Sequence, residues 1–353
     1  MKKINLQELV RPHILKMQPY SSARTEYTGN SGIFLDANEN PIGSVTATFH
    51  NRYPDPLQQN VKKELALLEN VQPTQIFLGN GSDECIDVLV RTFCEPKQDK
   101  IIVCPPVFSM YEHSAQAQNV EVIAINLKEN FQLNSNEILK EINENKTLKI
   151  IFICSPNNPT GNLIHTEDIE KILNTFSGIV LIDEAYQDFS TNESWIKRLN
   201  EFGNLVVIKT FSKAYGMADA RIGMLYANET IVHYMNAIKL PYNINQHSQQ
   251  LALEALKNIH KKEAFVAELL QSRDNLIAEL SKINFIKEVF PSDANYILFK
   301  VEDANKLYQY LIEENIIVRN RNSAPLLKGC LRVSVGTKQE NKIFIEKLKQ
   351  YKA

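Results

Sequence analysis

Lys213 lies in a segment whose residue types suit amine chemistry. Residues 209–216 read Lys-Thr-Phe-Ser-Lys-Ala-Tyr-Gly, they directly follow an apolar run, and Arg221 comes eight residues after Lys213. A lysine alone is most often a solvated surface residue. In a partly dry pocket it loses its proton readily and becomes a nucleophile that forms imines with carbonyl compounds. The segment alone leaves both alternatives open.

Asp183 is a second candidate, because it comes at the end of a hydrophobic run. Residues 180–186 read Val-Leu-Ile-Asp-Glu-Ala-Tyr, so Tyr186 follows closely. A carboxylate in such a place is costly to bury unless it is paired or binds a ligand. Asp-Glu-Ala after a strand also suggests a nucleotide hydrolase. The Gly-Lys-Ser/Thr phosphate loop that such an enzyme needs is absent from the sequence.

Two turns follow other apolar runs. Residues 78–84, Leu-Gly-Asn-Gly-Ser-Asp-Glu, precede a helical pattern. Such a helix N-terminus offers free amides to a phosphate, and a plain strand–turn–helix connection is the alternative. The second turn covers residues 155–161, which read Ser-Pro-Asn-Asn-Pro-Thr-Gly. It could present the side-chain amide of Asn158 to a ligand, and the alternative is a rigid turn without a ligand.

The four candidate segments lie at the ends of predicted strands, of which there are seven. Uninterrupted apolar runs separated by helices are typical of strands covered on both faces, so we predict an α/β fold with a mainly parallel sheet in a large three-layer α/β/α domain. Open sheets of this kind bind ligands at the carboxyl ends of their strands. A pyridine aldehyde bearing a phosphate would use all four segments. The strands cover residues 75–78, 100–104, 120–125, 149–154, 178–182, 205–209 and 223–226.

The pattern changes after Pro241. A long helical stretch covers residues 246–283, and two alternating strands at 295–299 and 331–335 flank a helix at 304–315. This indicates a smaller α+β domain. We predict a large domain over residues 30–242 and a small domain formed by residues 1–29 and 243–353.

Composition narrows the class of partner. The 39 Lys and Arg residues balance 41 Asp and Glu, which argues against a nucleic-acid-binding surface and favours small molecules. No run approaches the roughly 18 apolar residues of a membrane span, and the N-terminus lacks a secretory signal. The 5 cysteines are widely spaced and the 7 histidines form no metal motif. These features predict a cytoplasmic enzyme without a metal.

The ordered set of motifs resembles the fold-type I pyridoxal-phosphate-dependent aminotransferases over nearly the whole chain. Within that family it is most similar to the enzymes that act on histidinol phosphate. Besides the four segments above, the resemblance is carried by residues 18–24, 35–41, 52–54, 93–96, 104–106, 110–111, 240–243 and 329–337.

The resemblance implies a role for each candidate residue around pyridoxal 5′-phosphate. Lys213 would hold the cofactor covalently and move the proton of the substrate α-carbon. Asp183 would keep the pyridine nitrogen protonated. Tyr186 and Asn158 would bind the phenolic oxygen, and Tyr111 would stack on the ring. The phosphate would be held by Thr210, Ser212, Arg221 and the amides of Gly81, Ser82 and Asp83.

The resemblance also implies substrates and a partner. Arg319 and Arg332 would bind the substrate anion, and Tyr20 would line the imidazole side. Tyr53 would reach the cofactor phosphate of a second subunit, which implies a homodimer with shared active sites. The expected reaction is transamination of L-histidinol phosphate with 2-oxoglutarate in histidine biosynthesis. The alternatives are an aromatic amino-acid aminotransferase or a decarboxylase of a phosphorylated amino acid.

Two positions depart from the family pattern. Asp219 replaces a glycine shortly before Arg221, where it could pair with that arginine or face solvent. Arg321 adds a cation beside Arg319. It could strengthen anion binding, broaden the range of acceptors, or lie on the surface without effect.

Overall fold

A large mixed sheet forms the centre of the computed structural model, which describes residues 4–17, 20, 32–46, 48 and 50–352. Its seven strands are ordered β1-β7-β6-β5-β4-β2-β3. The strands are β1 (Ile76–Asn80), β2 (Lys100–Val103), β3 (Glu121–Ala124), β4 (Leu148–Cys154), β5 (Ile179–Asp183), β6 (Leu205–Thr210) and β7 (Ile222–Ala227).

Strand direction decides which residues meet at one edge. The pairs β2–β3, β2–β4, β4–β5 and β5–β6 are parallel, whereas β7 is antiparallel to both of its neighbours. Each of the seven predicted strands is present, and the prediction of a mainly parallel sheet is confirmed. Because β7 alone is reversed, its first residues lie beside the last residues of β6 and β1.

Helices cover both faces of this sheet. Alternate residues of one strand enter different cores: Ile151 and Ile153 belong to one hydrophobic cluster, and Ile150 and Phe152 belong to the other. This explains the unbroken apolar runs. The helices on this part of the chain are α1 (Leu6–Leu9), α2 (Gln59–Glu69), α3 (Ser82–Phe93), α4 (Met110–Ala117), α5 (Ser135–Glu144), α6 (Thr166–Thr175) and α7 (Glu229–Ile238).

A second, antiparallel sheet follows in the order β10-β11-β9-β8. Its core includes Leu276, Phe299, Leu307 and Leu331. The Asp303 side chain caps one helix, and Thr337 and Glu340 form a capping box on another. The elements are α8 (Gln246–Lys257), α9 (Ile259–Leu280), β8 (Ile286–Val289), β9 (Tyr296–Val301), α10 (Ala304–Glu313), β10 (Arg319–Asn320), β11 (Cys330–Ser334) and α11 (Lys338–Gln350).

Two segments differ in packing or in helix bounds from the prediction made from the sequence. Residues 4–17 were assigned to the small domain, but Leu6, Val10 and Ile14 are buried in a core of the large sheet, and Arg11 bonds to Glu95 at 3.1 Å. The predicted helix 246–283 is two helices that meet at Asn258. Helix α8 packs on α2, so its apolar face belongs with the large sheet.

In the part of the chain that the structure describes, no helix combines the length and apolar character needed to span a bilayer. The same residues contain no cluster of His, Cys, Asp or Glu suited to a metal ion. The five cysteines are buried and free.

Candidate active site

The candidate residues converge where β4, β5 and β6 end and β7 begins. Asp183 is the last residue of β5, Lys213 follows β6, and Arg221 precedes β7. Asn158 lies in the turn after β4. Four segments that are distant in sequence therefore meet at one edge of the sheet.

Asp183 is a carboxylate buried at this edge of the sheet. Its side chain accepts a hydrogen bond from the Tyr111 hydroxyl at 2.6 Å and from the Ala185 N–H at 2.9 Å. No Lys, Arg or His of the described chain forms an ion pair with it. Burial raises its pKa, and these two hydrogen bonds and the charge of Lys213 oppose the rise. The carboxylate is thus suited to a ligand that brings a cation.

Lys213 is a partly buried amine with a depressed pKa. Removal from water is the main cause, and the charge of Arg332 adds to it, whereas Asp183 acts in the opposite direction. Its Nζ lies 5.5 Å from the centre of the Tyr186 ring. The low pKa favours the neutral form, which is the nucleophilic one.

Asn158 connects the two sheets at the site. Its amide nitrogen donates to the Tyr186 hydroxyl at 3.4 Å, and its amide oxygen accepts a hydrogen bond from Arg332. Arg332 also lies 4.9 Å from the centre of the Tyr296 ring. The predicted cofactor residues Asn158 and Tyr186 are therefore next to the predicted substrate residue Arg332.

The turn before α3 forms an anion cradle with Arg221. Gly81 has φ +79°, a backbone conformation that favours glycine, and a Cβ there would lie 2.3 Å from a guanidinium nitrogen of Arg221, so a side chain would displace that guanidinium. No side chain caps α3, which leaves the amides of its first residues, Ser82 and Asp83, for a ligand. The Asp83 carboxylate bonds to Arg221 at 3.1 Å.

Two predicted phosphate contacts have another use in the structure. The Gly81 amide donates to the Arg221 carbonyl at 2.9 Å, so it ties the cradle to the start of β7. The Thr210 hydroxyl donates to the Ile222 carbonyl at 3.3 Å and accepts from the Ser212 N–H at 3.1 Å. In the structure Gly81 and Thr210 shape the cradle and place Ser212, and their direct contacts with a phosphate stay a prediction.

Tyr111 occupies a different position from the one predicted. Its side chain is fully buried, stacks on Phe152 with a ring distance of 4.8 Å, and donates to Asp183. A ring enclosed on both faces cannot stack on a ligand. Phe108 precedes the helix, three residues before Tyr111, and its ring, 5.7 Å from that of Tyr111, is only half-buried. We therefore assign Tyr111 a hydrogen bond to Asp183 in place of ring stacking.

Three arginines lie on or next to the paired strands β10 and β11, beside the site. Arg319 on β10 is directly opposite Arg332 on β11, and Arg321 follows two residues later. Arg319 is exposed, whereas Arg321 and Arg332 are half-buried. Tyr296 also belongs to this region, and its hydroxyl donates to the Asn157 carbonyl at 2.6 Å. It was not predicted from the sequence, because it lies in an apolar strand.

Tyr53 and Tyr20 are not brought to this edge of the sheet by contacts among the described residues. Tyr53 is half-exposed and stacks on Tyr242 at 4.5 Å. Tyr20 is exposed, and the neighbouring residues 18–19 and 21–24 of its predicted motif lie outside the described chain. Asp219 is exposed, and Arg221 pairs with Asp83 in its place, so the solvent-facing alternative holds for Asp219.

Residues 36–348 match the family model described as aminotransferase class I and II. A relative from Cytophaga hutchinsonii, named histidinol-phosphate aminotransferase, is 49% identical over 98% of this chain and 99% of its own length. A solved structure of the histidinol-phosphate aminotransferase from Clostridium acetobutylicum has a TM-score of 0.79 at 27% identity, covering 85% of this chain and 90% of that one. The Sinorhizobium meliloti enzyme of that name, solved with pyridoxal-5′-phosphate, has a TM-score of 0.80 at 20% identity and covers 89% of each chain.

Proposed function

Because the chain belongs to the class I and II aminotransferase family, we propose that it transfers the amino group of L-histidinol phosphate to 2-oxoglutarate. The products are imidazole acetol phosphate and glutamate, and the reaction is a step of histidine biosynthesis. One observation supports this choice of substrate. Arginines on the β10–β11 strand pair, which are suited to bind an anion, lie near the amine of Lys213. The names of relatives that match nearly the whole chain support the same substrate.

Pyridoxal phosphate is the cofactor of this family, and the residues fit it. Asp183, a buried carboxylate that forms no ion pair within the described residues, suits a protonated ring nitrogen. The open first turn of α3, with Arg221 against Gly81, suits the phosphate. Asn158 and Tyr186 lie between these groups and the arginines, in reach of the phenolic oxygen.

Bound pyridoxal phosphate supplies an electron sink that acidifies the proton on the substrate α-carbon. Lys213 is the base that removes this proton, since its depressed pKa keeps a share of the amine neutral. Asp183 holds the proton on the ring nitrogen, and Arg332 orients the substrate anion. Asn158 and Tyr186 are buried, which holds their polar groups in place for the cofactor.

Steady-state kinetics with three amino donors test this function. We expect the kcat/KM for histidinol phosphate to exceed that for phenylalanine by at least about 100-fold. Phenylalanine has no phosphate group that the arginines could bind. Phosphothreonine should lose no carbon dioxide. A higher kcat/KM for phenylalanine, or release of carbon dioxide from phosphothreonine, would replace the proposal with one of these activities.

Tyr111→Phe tests the hydrogen bond to Asp183. The variant keeps the ring on Phe152 and removes only the hydroxyl, so the pKa of Asp183 rises further. We expect the dissociation constant of the cofactor to rise about tenfold, the size of one hydrogen bond to a charged group. Equilibrium titration of the cofactor measures it. Tyr226→Phe is the matched control, because that hydroxyl is also buried but donates to the Met224 sulfur, at 3.6 Å. Equal affinities of Tyr111→Phe and wild type would exclude this role.

We further propose a homodimer in which Tyr53 reaches the cofactor phosphate of the other subunit. Tyr53 is held by stacking on Tyr242 and by its N–H bond to Glu39 at 2.7 Å, yet it is 51% exposed. Other large apolar side chains of the described residues are exposed as well, which is typical of a surface that another chain covers. They include Ile33, Leu35, Ile42, Val45, Leu67 and Leu240.

Mixing two inactive variants tests the shared site. If Tyr53 serves the partner's Lys213, a hybrid of Lys213→Ala and Tyr53→Ala subunits contains one intact site and one doubly defective site. Random refolding of an equal mixture should then recover about a quarter of the wild-type activity. Sedimentation of wild type checks the dimer itself. A mixture that shows only the average of the two variants would contradict the shared site.

The proposed location is the cytoplasm. The five cysteines are buried and none forms a disulfide, which suits a reducing compartment.

A further inference from the structure

The three arginines are placed by the register of one strand pair. Arg319 and Arg332 are Cα partners in an antiparallel ladder, and side chains at such positions have Cβ atoms about 5 Å apart. Arg321 lies two residues after Arg319, and its N–H donates to the Cys330 carbonyl at 3.0 Å. Alternation along a strand therefore puts all three side chains on the same face.

The charges of Arg319 and Arg332 act unfavourably on that of Arg321. In the described residues, Arg319, Arg321 and Arg332 form no ion pair with a carboxylate. The Nε atoms of Arg321 and Arg332 are buried and lack hydrogen-bond acceptors. Like charges opposite each other destabilise a sheet, and an unpaired buried donor adds to that cost. An anionic ligand would remove both penalties.

Arg321 faces the candidate active site. Its pKa is depressed by burial and by the charges of Arg332 and Arg319, and the nearby Tyr296 and Tyr186 oppose that effect. The charge of Arg321 in turn acts on the pKa of Tyr186, which lies beside Lys213. Of the alternatives raised by the sequence, a surface residue without effect does not fit this placement.

We propose that Arg321 is a specificity-determining residue, which completes with Arg319 and Arg332 a site for a dianionic phosphate monoester. This rests on the proposed function. A carboxylate offers two oxygens and one charge, which a single arginine fork can satisfy. A phosphate offers three oxygens and two charges, so it has use for a third guanidinium. Arg321 therefore favours the phosphorylated substrate over its unphosphorylated analogue and over a carboxylate.

The test compares Arg321→Gln with wild type on donors that differ only in the phosphate. We expect kcat/KM for histidinol phosphate to fall about 10- to 100-fold, mostly through KM, as for a lost hydrogen bond to a charged group. For histidinol, and for 2-oxoglutarate as acceptor, the change should stay within about threefold. The inhibition constant of inorganic phosphate on the cofactor-loaded enzyme should rise with the KM for histidinol phosphate.

Lys328→Gln is the control, since it removes an exposed positive charge from the same hairpin. It should leave all three constants at wild-type values. Equal losses on histidinol and histidinol phosphate, or an unchanged preference, would overturn the role of Arg321. If wild type itself shows no preference for histidinol phosphate over histidinol, the proposed function fails, which is a separate outcome.

Discussion

Lys213→Ala is expected to lower the rate of amino transfer by about 10⁴-fold or more, because the nucleophile and the general base are lost together. The structure supports both roles for one amine. Burial and Arg332 lower the pKa of Lys213, and no carboxylate forms an ion pair with it among the described residues. Single-turnover kinetics with histidinol phosphate measure the loss.

Two further variants separate nucleophilicity from charge. Lys213→Arg keeps the positive charge but removes the nucleophilic amine, and it should be as inactive as Lys213→Ala. Lys197→Ala removes an exposed lysine and should have wild-type activity. Borohydride reduction followed by mass mapping should locate the cofactor on the Lys213 peptide. Attachment to another lysine, or activity of Lys213→Ala within tenfold of wild type, would exclude the assignment.

Asp183→Asn is expected to lower kcat by about 10²- to 10³-fold, as for loss of a fixed charge that stabilises a transition state. An amide cannot hold the proton on the pyridine nitrogen, so the electron sink weakens. The affinity for the cofactor should fall as well. Since burial raises the pKa of Asp183, wild type should also lose cofactor affinity as the pH falls and this carboxylate becomes protonated.

The neighbouring Glu184→Gln is the matched control. Glu184 is equally buried, but it bonds to Ser194 and to the Trp195 N–H, away from the site. Burial raises its pKa to about 7. A raised pKa in the folded state means that stability falls as the pH rises from about 4.5 to 7. Glu184→Gln should therefore keep its activity, and its melting temperature relative to wild type should rise over that range. Equal loss of kcat in both variants would indicate a general effect of buried charge.

The strands of the large sheet could be predicted because burial on both faces demands unbroken apolar runs, as in residues 150–154 of β4. Strand β8 was missed, since Ile-Lys-Glu-Val lies at a sheet edge and is half polar. Strand β10 has only two residues, too few for any period. The packing of residues 4–17 was also misjudged, because three apolar residues do not show which core they enter.

The site was predictable where a residue's role follows from its position at a strand end. Asp183, Lys213 and Arg221 are of this kind, and the structure places them at one edge. Tyr111 and Phe108 are three residues apart and both aromatic, so only their contacts with Phe152 and Asp183 separate them. The Gly81 and Thr210 bonds likewise depend on how closely β7 approaches its neighbours.

The reversed strand β7 also governs how the chain tolerates insertions. A parallel strand would need a long crossover, but the antiparallel β7 follows β6 after only residues 211–221. That short connection carries both Lys213 and Arg221, and its two ends are joined by the Phe211 N–H bond to Ile222 at 3.1 Å. The distance between the Lys213 amine and the Arg221 guanidinium is therefore limited by this one short segment of chain. Added residues there would change that spacing at once, whereas the turn at 145–147, at the opposite edge of the sheet, can lengthen without moving either group.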